Sequence, residues 1–177
     1  SAGRAQSTLG GLVLTGAGRN FSAGLDLKAL SDRTGSSPET DYADSLRLSK
    51  LLQRLNTMPM PVLALVPGAA IGLGAGLVAC CDVVLASERA TFRFSEVRLG
   101  IIPATISPYV IAAIGARACR RYFLTGEAFD AAEAFRLGLA HALCRLEDLE
   151  AIGVKLESEL LAGKPVAQRA AKRLIED

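Results

Sequence analysis

Three short stretches of the chain are almost wholly apolar, Leu12 to Thr15, Pro61 to Val66 and Asp82 to Ala86. Apolar runs of this length, closed by Gly16 or by Pro67 and Gly68, predict buried strands of a sheet covered on both faces. Between the first two, Ser37-Pro38-Glu39 is a helix start, and Tyr42, Leu46, Leu48, Leu51, Leu52 and Leu55 follow at roughly helical spacing as far as Asn56. Strand, helix and strand in that order make a crossover unit. After Pro103 the pattern turns helical, with Ser107-Pro108 as cap and first-turn proline, and Gly115 and Gly126 as expected stops. Asp130-Ala131-Ala132-Glu133 resembles a capping box, a brief apolar segment runs from Leu139 to Leu143, and two more helices are expected at about 147–161 and 166–176. The class is α/β, alternating at first and mostly helical later.

Glycine changes this picture. The 17 glycines concentrate between Gly10 and Gly24 and between Gly68 and Gly76, which implies close backbone approach. The second cluster, Val66-Pro67-Gly68-Ala69-Ala70-Ile71-Gly72-Leu73-Gly74-Ala75-Gly76, follows a strand and leads into an apolar helix expected at Leu77 to Cys81. Such a junction points backbone N–H groups at a ligand. Gly72, Gly74 and Gly76 do not keep the GxGxxG spacing of a dinucleotide site, and no GxxxxGK[ST] phosphate loop exists. The first cluster continues as Gly16-Ala17-Gly18-Arg19-Asn20-Phe21-Ser22-Ala23-Gly24-Leu25-Asp26-Leu27, also after a strand. Two converging strand ends can offer two N–H donors to one oxygen, the geometry of an oxyanion hole.

Composition narrows the function classes. The 177 residues, half of them hydrophobic, suffice for one domain. A formal net charge of +2 does not favour nucleic-acid binding, and 5% aromatic residues with no tryptophan do not favour base stacking. Cys80, Cys81, Cys119 and Cys144 have neither CxxC nor metal-ligand spacing and read as reduced core residues, so no metal is expected. The first residues lack the apolar core of a signal peptide and no run is long enough to cross a bilayer, so a soluble cytoplasmic protein is expected.

Three blocks, FSAGLDL, GAAIGLGAGLVACCD and FRFSEVRLGIIP, resemble the signature blocks of the crotonase superfamily, the enoyl-CoA hydratases and isomerases, in the same order and spacing. The resemblance runs over nearly the whole chain from Leu12. It implies a ββα spiral followed by a helical C-terminal region, without the usual first strands and last helices. On that template residues 1–8 are a start outside the fold, disordered or added. Residues 9–126 are the spiral core, and 127–177 the helical region that serves oligomerisation. It further implies that the backbone N–H groups of Leu25 and Leu73 bind the thioester oxygen and that Glu96 is the general acid/base. Ala23, with Asp26 and Leu27 beside it, falls on the CoA-contacting part of the first block. No separate cofactor is implied, because CoA arrives on the substrate. The implied partners are an acyl-CoA thioester and further copies of the chain, as a homotrimer or a dimer of trimers.

Hydratases of this family commonly carry two glutamates; here the first of those positions is Gly76, leaving Glu96 alone. The Δ3,Δ2-enoyl-CoA isomerases of the family resemble this pattern. GLVACCD together with SEVRLGIIPATISPYV resembles instead the methylglutaconyl-CoA hydratase branch, so hydration of a branched or carboxylated enoyl-CoA is the expected activity. Isomerisation is the alternative. A truncated, non-catalytic assembly subunit is the alternative of a different class.

Other residues have simpler readings. Taken without the family block, Glu96 reads as a solvated carboxylate beside Arg93 and Arg98. Asp26 and Asp82 are expected to cap or brace loops. His141, the one histidine, has no partnered nucleophile and is expected to be structural. Arg117, Arg120 and Arg121 form one basic cluster, and Lys164, Arg169, Lys172 and Arg173 another. Both are expected to be solvated faces or subunit contacts.

Overall fold

The computed structural model of the chain describes residues 10–25 and 38–176. In chain order the elements are β1 (Leu12–Thr15), α1 (Pro38–Asn56), β2 (Val62–Val66), β3 (Ala70–Ile71), α2 (Leu73–Ala79), β4 (Val83–Ser87) and β5 (Thr91–Arg93). There follow a 3-10 turn at Glu96–Leu99, α3 (Ser107–Thr125), β6 (Ala128–Asp130), α4 (Ala131–Leu137), β7 (Ala142–Cys144), a second 3-10 turn at Leu146–Asp148, α5 (Leu149–Ala162) and α6 (Pro165–Glu176).

The main sheet is wholly parallel, in the order β1-β2-β4-β7, with Leu12 opposite Val62, Leu63 opposite Val83 and Leu85 opposite Ala142. Both faces of its centre are covered, as the unbroken apolar runs require. On one side Val62, Ala64, Val66 and Val84 join Leu52 of α1, Val78 of α2 and Val110 of α3 in the principal core. On the other, Leu65 and Leu85 meet Leu149, Ile152 and Leu156 of α5. β1 departs from the expectation of a buried strand: Leu12 and Leu14 are half-buried while Val13 is 37% exposed. The reason is its place at the sheet edge, paired on one side only among the described residues.

A second, smaller sheet runs β3-β5-β6, with Ala70 opposite Phe92 in parallel and Phe92 opposite Phe129 antiparallel. Strands of two or three residues carry no readable periodicity, so this sheet is absent from the sequence pattern. An aromatic cluster backs it: Phe92 stacks on Phe129 at 5.7 Å between ring centroids and Phe94 meets Phe123 edge-on at 5.1 Å.

Local signals fared unevenly. Gly126 ends α3, and Gly115 breaks it where a stop was expected: at φ 77° and ψ 154° it separates two helical runs that meet across a kink. α2 spans Leu73–Ala79, earlier than the expected Leu77 to Cys81, because the glycine-rich stretch is itself helical from Leu73 onward. Only half of the capping box forms: Glu133 N–H donates to Asp130 Oδ1 at 2.8 Å, while the Glu133 carboxylate turns away to Tyr122 and Arg136. The four cysteines are free and buried, and burial pushes the thiols of Cys80 and Cys81 up to about 12, so neither is poised to react. His141 extends the β4–β7 ladder, its Nδ1 accepting from Val84 N–H at 3.0 Å. Among the described residues no helix is long and apolar enough to cross a membrane.

Lys172 corrects the reading of the second basic cluster as solvated. Its Nζ turns inward and donates to Asp82 Oδ2 at 2.7 Å and to the Met60 carbonyl at 3.3 Å. Asp82 Oδ2 also accepts from Val62 N–H at 2.7 Å. One carboxylate thus fastens α6 to the starts of β2 and β4. Removing the ammonium leaves a part-buried carboxylate short of its charged partner, so Lys172→Met is expected to lower stability by about 1.5–3 kcal/mol in urea denaturation. A change below about 0.5 kcal/mol would show that the latch contributes nothing.

Candidate active site

Three loops that leave the strands on one side of the fold are joined through their backbones. Phe21 and Ser22 N–H both donate to the Ala69 carbonyl at 3.0 Å, and Ile71 N–H returns to the Ser22 carbonyl at 2.9 Å. Gly72 N–H then donates to the Arg93 carbonyl at 2.8 Å. Segments 20–25, 69–73 and 93–96 therefore lie side by side, although they are far apart in sequence.

The contact requires glycine. Gly72 sits at φ 54° and ψ −120°, where side chains are strongly disfavoured, and Gly24 at φ 91°. A Cβ on Gly24 would stand 2.7 Å from the Ile71 carbonyl oxygen and 3.7 Å from Leu73 N, so the first loop lies against the turn that begins α2. A Cβ on Gly74 would meet Ser22 Cβ at 2.7 Å.

Leu73 is the first residue of α2, and its N–H has no acceptor among the described residues, as expected of a first-turn donor. Leu25, directly after Gly24, is exposed beside it. Ala23 is exposed on the same loop. Asp26 and Leu27 lie outside the described residues, as do residues 1–8.

Glu96 opens the 3-10 turn, and its carboxylate reaches the same spot. A Cβ on Gly72 would lie 3.2 Å from Glu96 Oε1. Oε2 is buried and has no hydrogen-bond partner. Burial pushes this carboxyl above its ordinary value of 4.5, and its own backbone N–H draws it part of the way back. The reading of Glu96 as a carboxylate solvated beside two arginines does not hold, because both arginines are engaged elsewhere. Arg93 Nε donates to the Gly126 carbonyl at 2.7 Å and Arg98 Nε to the Thr125 carbonyl at 3.3 Å. Both bonds hold the turn against the end of α3 and leave the carboxylate without a counter-charge among the described residues. A half-buried carboxylate of this kind, next to a free backbone donor, is equipped to exchange a proton with a ligand.

Two features of the site were not legible in the sequence. Gly76 is covered by Ile106: a Cβ there would lie 2.7 Å from Ile106 Cβ, with Cγ2 nearer still. The position where many relatives carry a second carboxylate is thus filled with hydrocarbon. No local signal could reveal this, since Ile106 lies thirty residues downstream before α3. The second feature is Ser95, whose Oγ also faces Gly72, 3.9 Å from the same Cβ point. The basic cluster on α3 is partly paired, Arg121 with Glu127 at 2.7 Å, and stands apart from this site.

A family model described as enoyl-CoA hydratase/isomerase matches residues 2–177. A Thermus thermophilus relative named for enoyl-CoA hydratase is 37% identical over 168 residues, 93% of this chain and 65% of its own length. The 2,3-dehydroadipyl-CoA hydratase of Escherichia coli is 32% identical over 166 residues, 92% of this chain and 62% of its own length. Among solved structures, an enoyl-CoA hydratase from Shewanella pealeana is 42% identical with a TM-score of 0.90, covering 94% of this chain and 62% of that one. The chain therefore spans somewhat under two thirds of the length of these relatives. With a family match along almost its entire length and this close a fold, the chain belongs to the enoyl-CoA hydratase/isomerase family of the crotonase superfamily.

Proposed function

We propose that this protein hydrates a branched or carboxylated enoyl-CoA thioester, as in the methylglutaconyl-CoA hydratase branch, using Glu96 as its single acid/base. The observation that carries the reading is the half-buried Glu96 carboxylate, whose Oε2 has no partner, beside the free Leu73 N–H, with Ile106 on Gly76 where a second acid would stand. The thioester oxygen would accept from the N–H groups of Leu25 and Leu73, and the start of α2 favours the charge that develops there. Glu96 takes one proton from water as the water oxygen bonds to Cβ, and the C=C electron pair moves toward the thioester oxygen. Protonated Glu96 then delivers that proton to Cα, which regenerates the carboxylate and completes the addition of one water. No separate cofactor enters these steps, because two amides do the polarising.

Ala23 is assigned to the adenine of CoA through its backbone, with Asp26 and Leu27 in the same contact region. Hydration is favoured by relatives that are hydratases by name, one of them for a carboxylated enoyl-CoA. A second reading, Δ3,Δ2 isomerisation, is favoured by the single carboxylate, since one proton shuttle between carbons suffices. Assembly as a homotrimer or a dimer of trimers in the cytoplasm belongs to the same proposal. Val166, Leu174 and Ile175, which α6 leaves exposed, support assembly.

Glu96→Gln is expected to reduce turnover of 3-methylglutaconyl-CoA by about 10²–10⁴-fold while leaving CoA-ester binding by calorimetry intact. Near-normal turnover would end the assignment. Wild-type kcat/KM should fall on acidification through a pKa above 4.5, because Glu96 must be ionised to accept a proton from water. Stability runs the other way. A carboxyl whose folded pKa exceeds its unfolded one favours folding when protonated, and that contribution is lost as pH rises through the folded pKa. Glu96→Gln should therefore melt above the wild type near neutral pH, and the gap should close toward pH 4.5.

Packing at Gly76 gives a separate expectation. Gly76→Ala should cost about 1–3 kcal/mol by crowding Ile106. The double variant with Ile106→Ala should be more stable than the sum of the two single losses. Strict additivity in a double-mutant cycle would show that the two sites do not touch.

A further inference from the structure

We propose that Ser95 orients the attacking water through its Oγ hydroxyl, supplying the second polar contact that a second carboxylate provides in other hydratases. The inference rests on the hydration reading given above. Ser95 stands at the N-cap of the 3-10 turn, where a serine side chain usually accepts from a turn N–H. Here it makes no such cap and has no hydrogen-bond partner among the described residues. Its Oγ instead faces the Cα of Gly72. Apart from Glu96 Oε1 at 3.2 Å, it is the nearest side-chain oxygen to the point where a Gly72 Cβ would sit, at 3.9 Å. Both oxygens therefore border one small surface, next to the Leu73 amide.

The chemistry requires such a group. A localised water needs two to four polar partners. Glu96 can accept one O–H, but one contact leaves the water free to rotate, and its attacking lone pair is not aimed at Cβ. The position that serves this purpose in two-carboxylate hydratases is hydrocarbon in this chain, Ile106 over Gly76. A hydroxyl both donates and accepts, so Ser95 can take the second O–H or donate to the lone pair that does not attack. It bears no charge to compete with Glu96 for the proton. Glu96 can also exchange a proton with Cα without any attack of water at Cβ, and that separates the role of Ser95 from the role of Glu96.

Ser95→Ala removes no hydrogen bond among the described residues, so the variant should fold as the wild type does. Two rates are compared: hydration of 3-methylglutaconyl-CoA, and deuterium exchange at Cα of glutaryl-CoA in heavy water followed by NMR. Exchange uses the amide donors and Glu96 but no attacking water. Ser95→Ala should lower hydration about tenfold to a hundredfold and leave exchange within about twofold, with Ser95→Thr restoring most of the hydration. Unchanged hydration, or an equal loss of both rates, would overturn the role of Ser95 alone. A wild-type protein that exchanges without hydrating, or does neither, would overturn the hydration reading and this inference with it.

Discussion

Contact between backbone and backbone at three strand ends is the constraint from which the rest of this site follows. The carbonyls of Ala69, Ser22 and Arg93 each accept from a neighbouring loop, and these bonds form only because glycines at 24, 72 and 74 let main chains meet without a Cβ between them. The hydrogen bonds fix where the Leu73 amide points. They also fix where Glu96 can stand, because Gly72 lies between the two and is itself tied to β5. The proposed donation uses only the main chain, so leucine side chains at Leu25 and Leu73 are compatible with it.

Glu96 is held at a cost that the surrounding packing offsets. A carboxylate with one buried, unpartnered oxygen is unfavourable in its charged form. Its position is set on one side by Phe94, fully buried among Phe123 and Phe129, and on the other by Arg93 and Arg98, which grip the end of α3. The arginines contribute position but do not neutralise the acid. Burial in this arrangement holds the carboxyl above its ordinary value, whereas a direct ion pair would lower it. Ile106 fills the space over Gly76.

Much of the fold was legible because its signals are local. β2 and β4 announce themselves as apolar runs, α1 by its proline start and leucine spacing, and the ends of α3 by Pro108 and Gly126. The family blocks pointed to Glu96, Leu25 and Leu73, residues that the fold brings to neighbouring loops. What was not legible depends on distance in sequence. The small β3-β5-β6 sheet has strands too short to show a period. Gly115 interrupts α3 as its residue type suggests, but nothing in the local sequence shows that a second helical run starts directly after it. Arg93 and Arg98 looked like partners of Glu96 because they are near it in sequence, but their guanidinium groups point to carbonyls about thirty residues away. Ile106 on Gly76 likewise pairs two positions that no motif connects.

Single-carboxylate hydration requires that water oxygen enter the product under the control of Glu96. The most direct test is incubation of the protein with 3-methylglutaconyl-CoA in oxygen-18 water, with mass spectrometry of the acyl group. A hydroxyacyl-CoA carrying one oxygen-18 atom, formed by the wild type and not by Glu96→Gln, is the predicted result. A shifted double bond without label, or label incorporated equally by the variant, would contradict it.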